Sequence, residues 1–154
     1  MSNKLEIRPL VGFGELKFGA DQSEVENYLG EPQEIEDLPG EADESDAEVW
    51  NYWDDGHTVF FEKDMENRCT CFETDNYDAI LFGKNVFDLD ETKIIELMET
   101  NGYREIDTEN EEWGERRVSY SDAVMDFYFE EGKLISVSWG VMIDLENDQA
   151  EWPK

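Results

Sequence analysis

A pattern of one capped helix followed by aromatic strands occurs twice in this chain of 154 residues. Residues 18–29 (FGADQSEVENYL) align with residues 87–98 (FDLDETKIIELM) at a constant offset. Each segment carries an aspartate suited to a helix N-cap, Asp21 or Asp90, and then apolar residues at i, i+3 and i+4 spacing. The pattern predicts two short amphipathic helices, each ended by a following glycine.

Aromatic strands follow each predicted helix. Residues 59–62 (VFFE) align with residues 127–130 (FYFE), and a further strand is predicted after each, over 68–73 and 133–139. Glu131-Gly132 is typical of a tight hairpin turn between two such strands. The partial alternation of apolar and polar residues favours an antiparallel sheet with one covered face.

One helix and its strands cannot bury both of their apolar faces, so two such units are expected to pack together. The sequence predicts an α+β fold of two tandem repeats, each a helix followed by a roughly three-stranded antiparallel meander, sharing one core. The predicted single domain, 1–154, consists of repeat 1 (about 7–83), repeat 2 (about 84–143) and a tail (144–154). Residues 7–17 are expected to form an additional short strand or hairpin.

The net charge of the chain limits the kinds of partner that it can bind. There are 41 Asp and Glu residues against 12 Lys and Arg residues, a formal net charge of -29, yet 13% of the residues are aromatic. The aromatic content predicts a folded chain, and the charge argues against nucleic acid or an anionic membrane as a partner. The most acidic stretch, 34–48, and the related stretch 106–115 are predicted to be solvated loops.

Neither an apolar run of signal-peptide length nor one of membrane-spanning length is present in the sequence, which predicts a cytoplasmic protein. Cys69 and Cys71 lie two positions apart, so we expect reduced thiols on the same face of a strand. With His57 they make only three soft ligands, one fewer than a structural zinc site requires. No metal and no cofactor are predicted.

Catalysis is not predicted either. His57 follows an Asp-Gly turn and is expected to be exposed at the start of a strand. Pairing with the next strand would bring it near Cys69, but no third group completes a catalytic arrangement. The sequence therefore predicts a protein that is not an enzyme and has no catalytic residue.

Calcium binding is an alternative function, because the chain contains clustered carboxylates. Clustered carboxylates offer the oxygen ligands that calcium prefers, although neither cluster follows the twelve-residue loop pattern. The two clusters are Asp43, Glu44, Asp46 and Glu48, and Asp107, Glu109 and Glu111.

Aromatic residues that are not needed for a core are candidates for a protein interface. Because strand side chains alternate, Phe60 and Tyr128 are predicted to point away from Val59, Phe61 and Phe127. The predicted partner-binding residues combine such aromatics with the acidic stretch. They are Trp50, Trp53, Tyr120, Tyr128, Trp139, Asp43, Glu44 and Asp46.

A resemblance to a known family rests on residues 12–32. The matching positions are Gly12, Gly14, Leu16, Phe18, Gly19, Val25, Leu29, Gly30 and Pro32. In these the chain resembles bacterial proteins of the β-lactamase-inhibitor-protein type and related small lipoproteins of outer-membrane assembly. The resemblance implies tandem helix-plus-meander units and a concave sheet that binds a partner protein without catalysis. The two cysteines depart from the one-disulfide-per-repeat pattern of that family, which puts a β-lactamase target in doubt.

Together these observations predict a non-enzymatic protein-binding module. The most specific version of this prediction is a cytosolic immunity or inhibitor protein. Its acidic surface and an aromatic sheet face would be directed at a basic partner. The alternatives are a divalent-cation (calcium) binding protein or a housekeeping protein of another kind.

Overall fold

The computed structural model describes residues 5–39, 46–110, 114–144 and 149–153. The α-helices in this part of the chain are α1 (Gln22–Leu29) and α2 (Glu91–Thr100), and two short 3₁₀ helices span Lys63–Met65 and Val86–Asp88. The strands are β1 (Glu6–Arg8), β2 (Gly12–Phe13), β3 (Leu16–Lys17), β4 (Glu34–Leu38), β5 (Ala47–Tyr52), β6 (His57–Glu62), β7 (Arg68–Thr74), β8 (Ile80–Leu81), β9 (Lys84–Asn85), β10 (Ile106–Asn110), β11 (Glu115–Tyr120), β12 (Met125–Glu130), β13 (Lys133–Gly140), β14 (Ile143–Asp144) and β15 (Gln149–Ala150).

An eight-stranded antiparallel sheet dominates the molecule, in the order β10-β11-β12-β13-β7-β6-β5-β4. Its two central strands, β13 and β7, pair from Val137–Thr74 to Gly140–Cys71. A smaller sheet, in the order β3-β2-β1-β8-β9, contains the parallel pair β1 and β8. Strands β14 and β15 form a separate two-stranded ribbon.

The predicted fold class is wrong. Of the residues that the structure describes, 47% are in strands and 17% in helices, so this part of the chain is mostly β and is not an α+β tandem repeat of helix-plus-meander units. Strand pairing continues across the middle of the molecule, so all the long strands belong to one large sheet. The prediction failed because it treated stretches that form strands as loops, and it therefore underestimated the β content.

Those stretches are the acidic ones. Residues 34–38 form the edge strand β4 and residues 106–110 form the opposite edge strand β10, and every residue of both strands is exposed. Charged side chains are tolerated on an edge strand because only one side of the strand is paired and its side chains reach water. Further along the predicted loop, residues 40–45 lie outside the described residues, and Ala47 and Glu48 begin β5.

Both predicted helix starts are confirmed. The Asp21 carboxylate accepts a hydrogen bond of 2.8 Å from the Glu24 backbone N–H, and the Asp90 carboxylate accepts one of 2.9 Å from that of Lys93. The stop of α1 is also as predicted, because Gly30 adopts φ 88°, which favours glycine.

The turn predictions are confirmed as well. Glu131 and Gly132 both have positive φ, 53° and 80°, as a two-residue hairpin turn requires. The predicted N-terminal hairpin is formed by strands β1, β2 and β3. Trp152 of the predicted tail packs against the core, and its ring lies close to Gly19.

One side of the large sheet, here called the inner face, builds the core with both helices and the small sheet. Val25 of α1, Ile94 and Met98 of α2 and Phe13 of β2 belong to one buried cluster. Their partners on the inner face include Trp50, Val59, Phe61, Phe72, Val118, Phe127 and Trp139. Within the described part of the chain, no helix is long and apolar enough to cross a membrane.

Candidate functional site

The opposite side of the large sheet, here called the outer face, lies outside the core cluster. Register places Val49, Phe60 and Cys71 side by side on neighbouring strands of this face. Tyr128 lies on the same face, in β12, where it pairs with Ser136 of β13. None of Val49, Phe60 and Tyr128 belongs to the hydrophobic cluster that the helices cover. The outer face is therefore a second surface with its own apolar residues.

The prediction that Phe60 and Tyr128 point away from the core is confirmed. Val59, Phe61 and Phe127 are fully buried, whereas Phe60 and Tyr128 are half-buried. Strands β7 and β13 separate the strands that carry the two rings, which puts these strands roughly 14 Å apart at the usual spacing. Two separated, half-buried aromatic rings on one sheet face are suited to anchoring a partner.

A β-bulge sorts the two cysteines onto different faces, so the prediction that they share a face is wrong. The register slips between Phe60 and Phe61, so that Phe60 pairs with Cys71 and Phe61 pairs with Cys69. Cys69 is consequently buried in the core, and Cys71 lies on the outer face. A bulge inserts one extra residue, here Thr70, and reverses the alternation beyond it. Both thiols are free.

Polar side chains connect the central strands of the outer face. The Cys71 Sγ and Ser138 Oγ atoms lie 3.6 Å apart, and the Ser136 hydroxyl donates to Glu73 Oε1 at 3.2 Å. Next to them, the hydroxyl of Ser119 donates to Asp126. These contacts cross from β7 to β13 and from β11 to β12, and they hold carboxylates at fixed places on the surface.

Partial burial changes the titration of the groups on the outer face. Burial, followed by the carboxylates of Asp126 and Glu73, raises the pKa of Tyr128 to about 12, so its hydroxyl is protonated at neutral pH. Burial also raises the pKa of Cys71 to about 12, which lowers its thiolate fraction at neutral pH. The pKa of Glu73 is raised by burial, with Asp75 adding to the shift against the hydrogen bond from Ser136.

Carboxylates crowd the margins of the outer face. Along β4, a hydrogen bond with Glu34 and then its charge raise the pKa of Glu36. At the other margin, Arg117 is paired with Glu109 of β10. Crowded carboxylates repel one another and are relieved by added positive charge.

An open groove of about 670 Å³ lies at the β10 margin of the sheet. Asp107, Arg117, Ser119 and Asp126 line its outer-face side. Ile106 and Tyr120, which pair across β10 and β11, line it as well. The groove extends the outer face around the edge of the sheet.

Three of the predicted contact residues are in the core, and their prediction as surface anchors is wrong. Trp50, Tyr120 and Trp139 are buried in the core cluster, because each occupies an inward position of its strand. Trp139 donates from Nε1 to the Gly12 carbonyl oxygen at 2.9 Å. The sequence pattern alone did not assign these positions to a face.

The other predicted contacts lie apart from one another. Trp53 is 60% exposed in the turn between β5 and β6, and Tyr128 is on the outer face. Asp46 is exposed immediately before β5, and Asp43 and Glu44 lie outside the described residues. Phe60, Glu73 and Cys71 were missing from the predicted site. The alternation of β6 indicated Phe60, but the bulge that places Cys71 and Glu73 left no signal in the sequence.

His57 is buried, and its predicted exposure is wrong. Its Nδ1 lies 2.9 Å from the Thr74 Oγ1, and its ring meets that of Phe13 edge-on at 4.9 Å. In the strand register His57 pairs with Thr74 rather than with Cys69. The histidine is thus a hydrogen-bonded residue of the inner face.

Within the described ranges, no group of three or more His, Cys, Asp and Glu side chains is arranged to hold a metal ion. Of the residues named for calcium, Asp43, Glu44 and Glu111 lie outside those ranges. Glu48 instead accepts a hydrogen bond from Gln22 of α1.

We expect Glu73→Gln to raise the free energy of unfolding at pH 7. The pKa of Glu73 is raised above its ordinary value in the folded state. At neutral pH the ionised carboxylate is therefore less favourable in the folded protein than in the unfolded chain, and it lowers the free energy of unfolding. The gain should shrink as the pH falls through the pKa of Glu73, because the wild-type carboxyl is then protonated. Urea unfolding at a series of pH values measures this gain. Glu96→Gln, on the exposed side of α2, controls for the loss of one negative charge; an equal gain at all pH values in both variants would contradict the prediction.

Comparisons with known proteins give no family for this chain. No protein-family model matches it, and no curated protein matches it. Among solved structures it is similar to an extracellular protein containing a SCP domain from Bacillus anthracis str. Ames, with 14% sequence identity and a TM-score of 0.46. The match covers 89% of this chain and 49% of that chain, so this chain spans about half of its length. The resemblance to the β-lactamase-inhibitor-protein type stays a prediction.

Proposed function

We propose that this chain is a non-catalytic protein-binding module whose outer face docks a basic protein. The observation that carries the proposal is the outer face itself, which holds Phe60 and Tyr128 outside the core cluster and among carboxylates. The most specific version of this proposal is that the chain is a cytosolic immunity or inhibitor protein. The free thiols of Cys69 and Cys71 support a reducing compartment.

Charge supports a basic partner. The formal net charge of -29 produces a negative field that speeds the approach of a positively charged protein and slows that of an acidic one. On the outer face, Glu73 and Asp126 add local negative charge, while Arg117 is neutralised by Glu109. A basic surface would relieve the repulsion among these carboxylates.

The aromatic rings support docking after encounter. Phe60 and Tyr128 are half-buried, so a partner completes their burial with little ordering of the side chains. The Tyr128 hydroxyl, whose pKa is raised further by burial, adds a hydrogen-bond donor at neutral pH. Strands β6 and β12 hold the two rings on a rigid sheet, which reduces the entropy lost on binding.

The test compares capture by immobilised wild-type protein with capture by two variants. Tyr128→Ala removes an outer-face ring, and Tyr77→Ala removes a ring that is 58% exposed but lies between β7 and β8, outside the large sheet. A partner of the outer face should be basic and should bind the Tyr77→Ala variant normally. We expect Tyr128→Ala to raise its Kd about tenfold or more.

Kinetics of the captured protein at several salt concentrations complete the test. Screening should lower its association rate steeply as the ionic strength rises. An association rate that is independent of salt, or equal effects of Tyr128→Ala and Tyr77→Ala, would overturn the proposal.

A further inference from the structure

A row of polar side chains crosses the outer face from strand to strand. Paired residues of neighbouring strands point to the same side of a sheet, and the pairing can be followed from β10 through β11, β12 and β13 to β7. The residues paired in this order, here called the cross-strand row, are Asp107, Ser119, Asp126, Ser138 and Glu73. Asp107 is exposed and the other members are half-buried, so the row is part of the surface.

The other half of the sheet continues the same line with a closed hydrogen-bond network. Glu73 pairs with Thr58 of β6, which pairs with Asn51 of β5, which pairs with Glu34 of β4. Thr58 donates to Asn51 Oδ1 at 3.2 Å, and Asn51 donates to Glu34 Oε1 at 3.4 Å. Asn51 is only 4% exposed. The cross-strand row is therefore the half of this line that presents charge to a partner.

Carboxylates recur in every second strand of the cross-strand row. Asp107, Asp126 and Glu73 lie on β10, β12 and β7, and the strand between each pair carries a serine. Neighbouring strands lie about 4.8 Å apart, so the strands that carry successive carboxylates are about 10 Å apart. The short side chains of Ser119 and Ser138 leave room between the carboxylates. The groove at the β10 margin is lined by Asp107, Ser119 and Asp126, so that end of the row is concave.

The two aromatic rings of the outer face stand on opposite sides of this line. Tyr128 follows Asp126 by two residues in β12, and Phe60 follows Thr58 by two residues in β6. Three successive antiparallel pairings separate β12 from β6, so these strands run in opposite directions. Two residues of a strand span about 7 Å, so each ring is about that far from the line, on its own side. An α-helix, about 10–12 Å wide with its side chains, would contact both rings if it lay on the line.

Partial burial strengthens the attraction of the row for a cation. The pKa of Glu73 is raised mainly by burial, and the carboxylates of Asp126 and Glu73 add to the effect of burial in raising the pKa of Tyr128. Charges that are partly removed from water interact more strongly than fully solvated charges. The row contains three carboxylates and no basic residue. Arg117, beside Tyr128 in the register, is paired with Glu109.

The period of an α-helix matches the spacing of the carboxylates. Seven residues of a helix span about 10 Å and return to the same side after two turns. We propose that the partner docks on the outer face through one α-helix that lies across the strands, with Lys or Arg at every seventh position directed at the carboxylates of the cross-strand row. Apolar side chains on the flanks of that helix would contact Phe60 and Tyr128. This inference rests on the proposed function and names the element that the basic partner presents.

The experiment titrates three fluorescently labelled peptides of equal charge with the full chain at low ionic strength. The first is a helical peptide of about 20 residues, rich in alanine and glutamine, with lysine at every seventh position and leucines on both flanks. The second has the same composition but has lysine at every fifth position, which directs successive lysines to different sides of the helix. The third is a polyproline peptide with lysine at every third position, so that its lysines recur about every 9 Å on one side. Fluorescence anisotropy should give the first peptide a Kd about fivefold or more below that of either other peptide.

Matched variants of the full chain show how the first peptide lies on the sheet. Glu73→Gln and Asp107→Asn, at the two ends of the cross-strand row, should each raise its Kd about threefold. Glu130→Gln is the control, because Glu130 is exposed in β12 and lies four residues along the strand from Asp126. It removes the same charge outside the row and should leave the Kd nearly unchanged. A helix lying along β12 would respond to Glu130→Gln and not to Asp107→Asn.

Several outcomes would overturn the proposed helix. They are equal binding of the two helical peptides, tighter binding of the polyproline peptide, and equal effects of Glu130→Gln and Glu73→Gln. If one of these occurs while capture of a basic protein still depends on Tyr128 and on salt, the proposed function stands and the helix across the strands is rejected. If the first peptide binds selectively while Tyr128→Ala and salt leave protein capture unaffected, the proposed function fails and the helix-binding row stands.

Discussion

Replacing Trp139 with alanine is expected to lower the free energy of unfolding by about 4 kcal/mol. Trp139 is 1% exposed at the centre of the inner face, where its ring meets Phe13 edge-on at 5.1 Å and lies 5.7 Å from that of Phe72. Its Nε1 also donates to the Gly12 carbonyl oxygen at 2.9 Å, which joins the large sheet to the small one. Alanine would leave a cavity between the two sheets and remove the indole hydrogen bond to a buried carbonyl group.

Urea unfolding followed by far-ultraviolet circular dichroism measures this loss without relying on tryptophan fluorescence. Trp53→Ala is the matched control, because Trp53 is 60% exposed in a turn, and it should change the stability by less than about 0.5 kcal/mol. Trp139→Phe should lie between the two, since it keeps most of the ring volume but loses the hydrogen bond. Similar losses for Trp139→Ala and Trp53→Ala would show that Trp139 does not join the sheets.

Gly12→Ala is expected to cost about 3 kcal/mol or more, because there is no room for a Cβ atom. A Cβ at this position would lie 1.9 Å from the Leu16 carbonyl oxygen and 2.8 Å from the Lys17 Cα. Both contacts are to backbone of β3, so relief requires the β2–β3 hairpin to move. Phe13 and Leu16, the core residues of that hairpin, would move with it.

Gly114→Ala is the control for the glycine substitution. Among the residues that the structure describes, a Cβ at Gly114 would meet nothing within 4 Å, although its φ of 91° still disfavours alanine. We expect a cost of about 1 kcal/mol there, from the backbone conformation alone. Equal costs at Gly12 and Gly114 in urea unfolding would refute the steric argument. A double-mutant cycle of Gly12→Ala and Trp139→Phe should be non-additive, because the two residues share a hydrogen bond.

Local structure was predictable where it depends on neighbours in the chain. The caps at Asp21 and Asp90, the Glu131-Gly132 turn and the opposite orientations of Phe60 and Phe61 all follow from short-range rules. The acidic strand β4 was missed because edge strands tolerate charge, so its composition resembled that of a loop.

The candidate site was predictable only in part. Tyr128 and Phe60 could be assigned to an outward face by alternation, whereas Trp50, Tyr120 and Trp139 could not be assigned to either face. The sheet face to which a side chain points depends on strand register, and the register depends on which strands pair. The bulge that places Cys69 and Cys71 on opposite faces also results from pairing with β6.

By itself the sequence determined the helix starts, the tight turns and the alternation within single strands, because these depend on residues close together in the chain. It also determined the strong negative charge, which depends on composition alone. The tertiary structure alone decided that the long strands form one eight-stranded sheet and that its inner face builds the core. It also decided that the Tyr52 hydroxyl donates to the Gly30 carbonyl oxygen, while the buried Tyr120 hydroxyl has no hydrogen-bond partner among the residues that the structure describes. These features depend on contacts between distant segments, which local patterns do not specify.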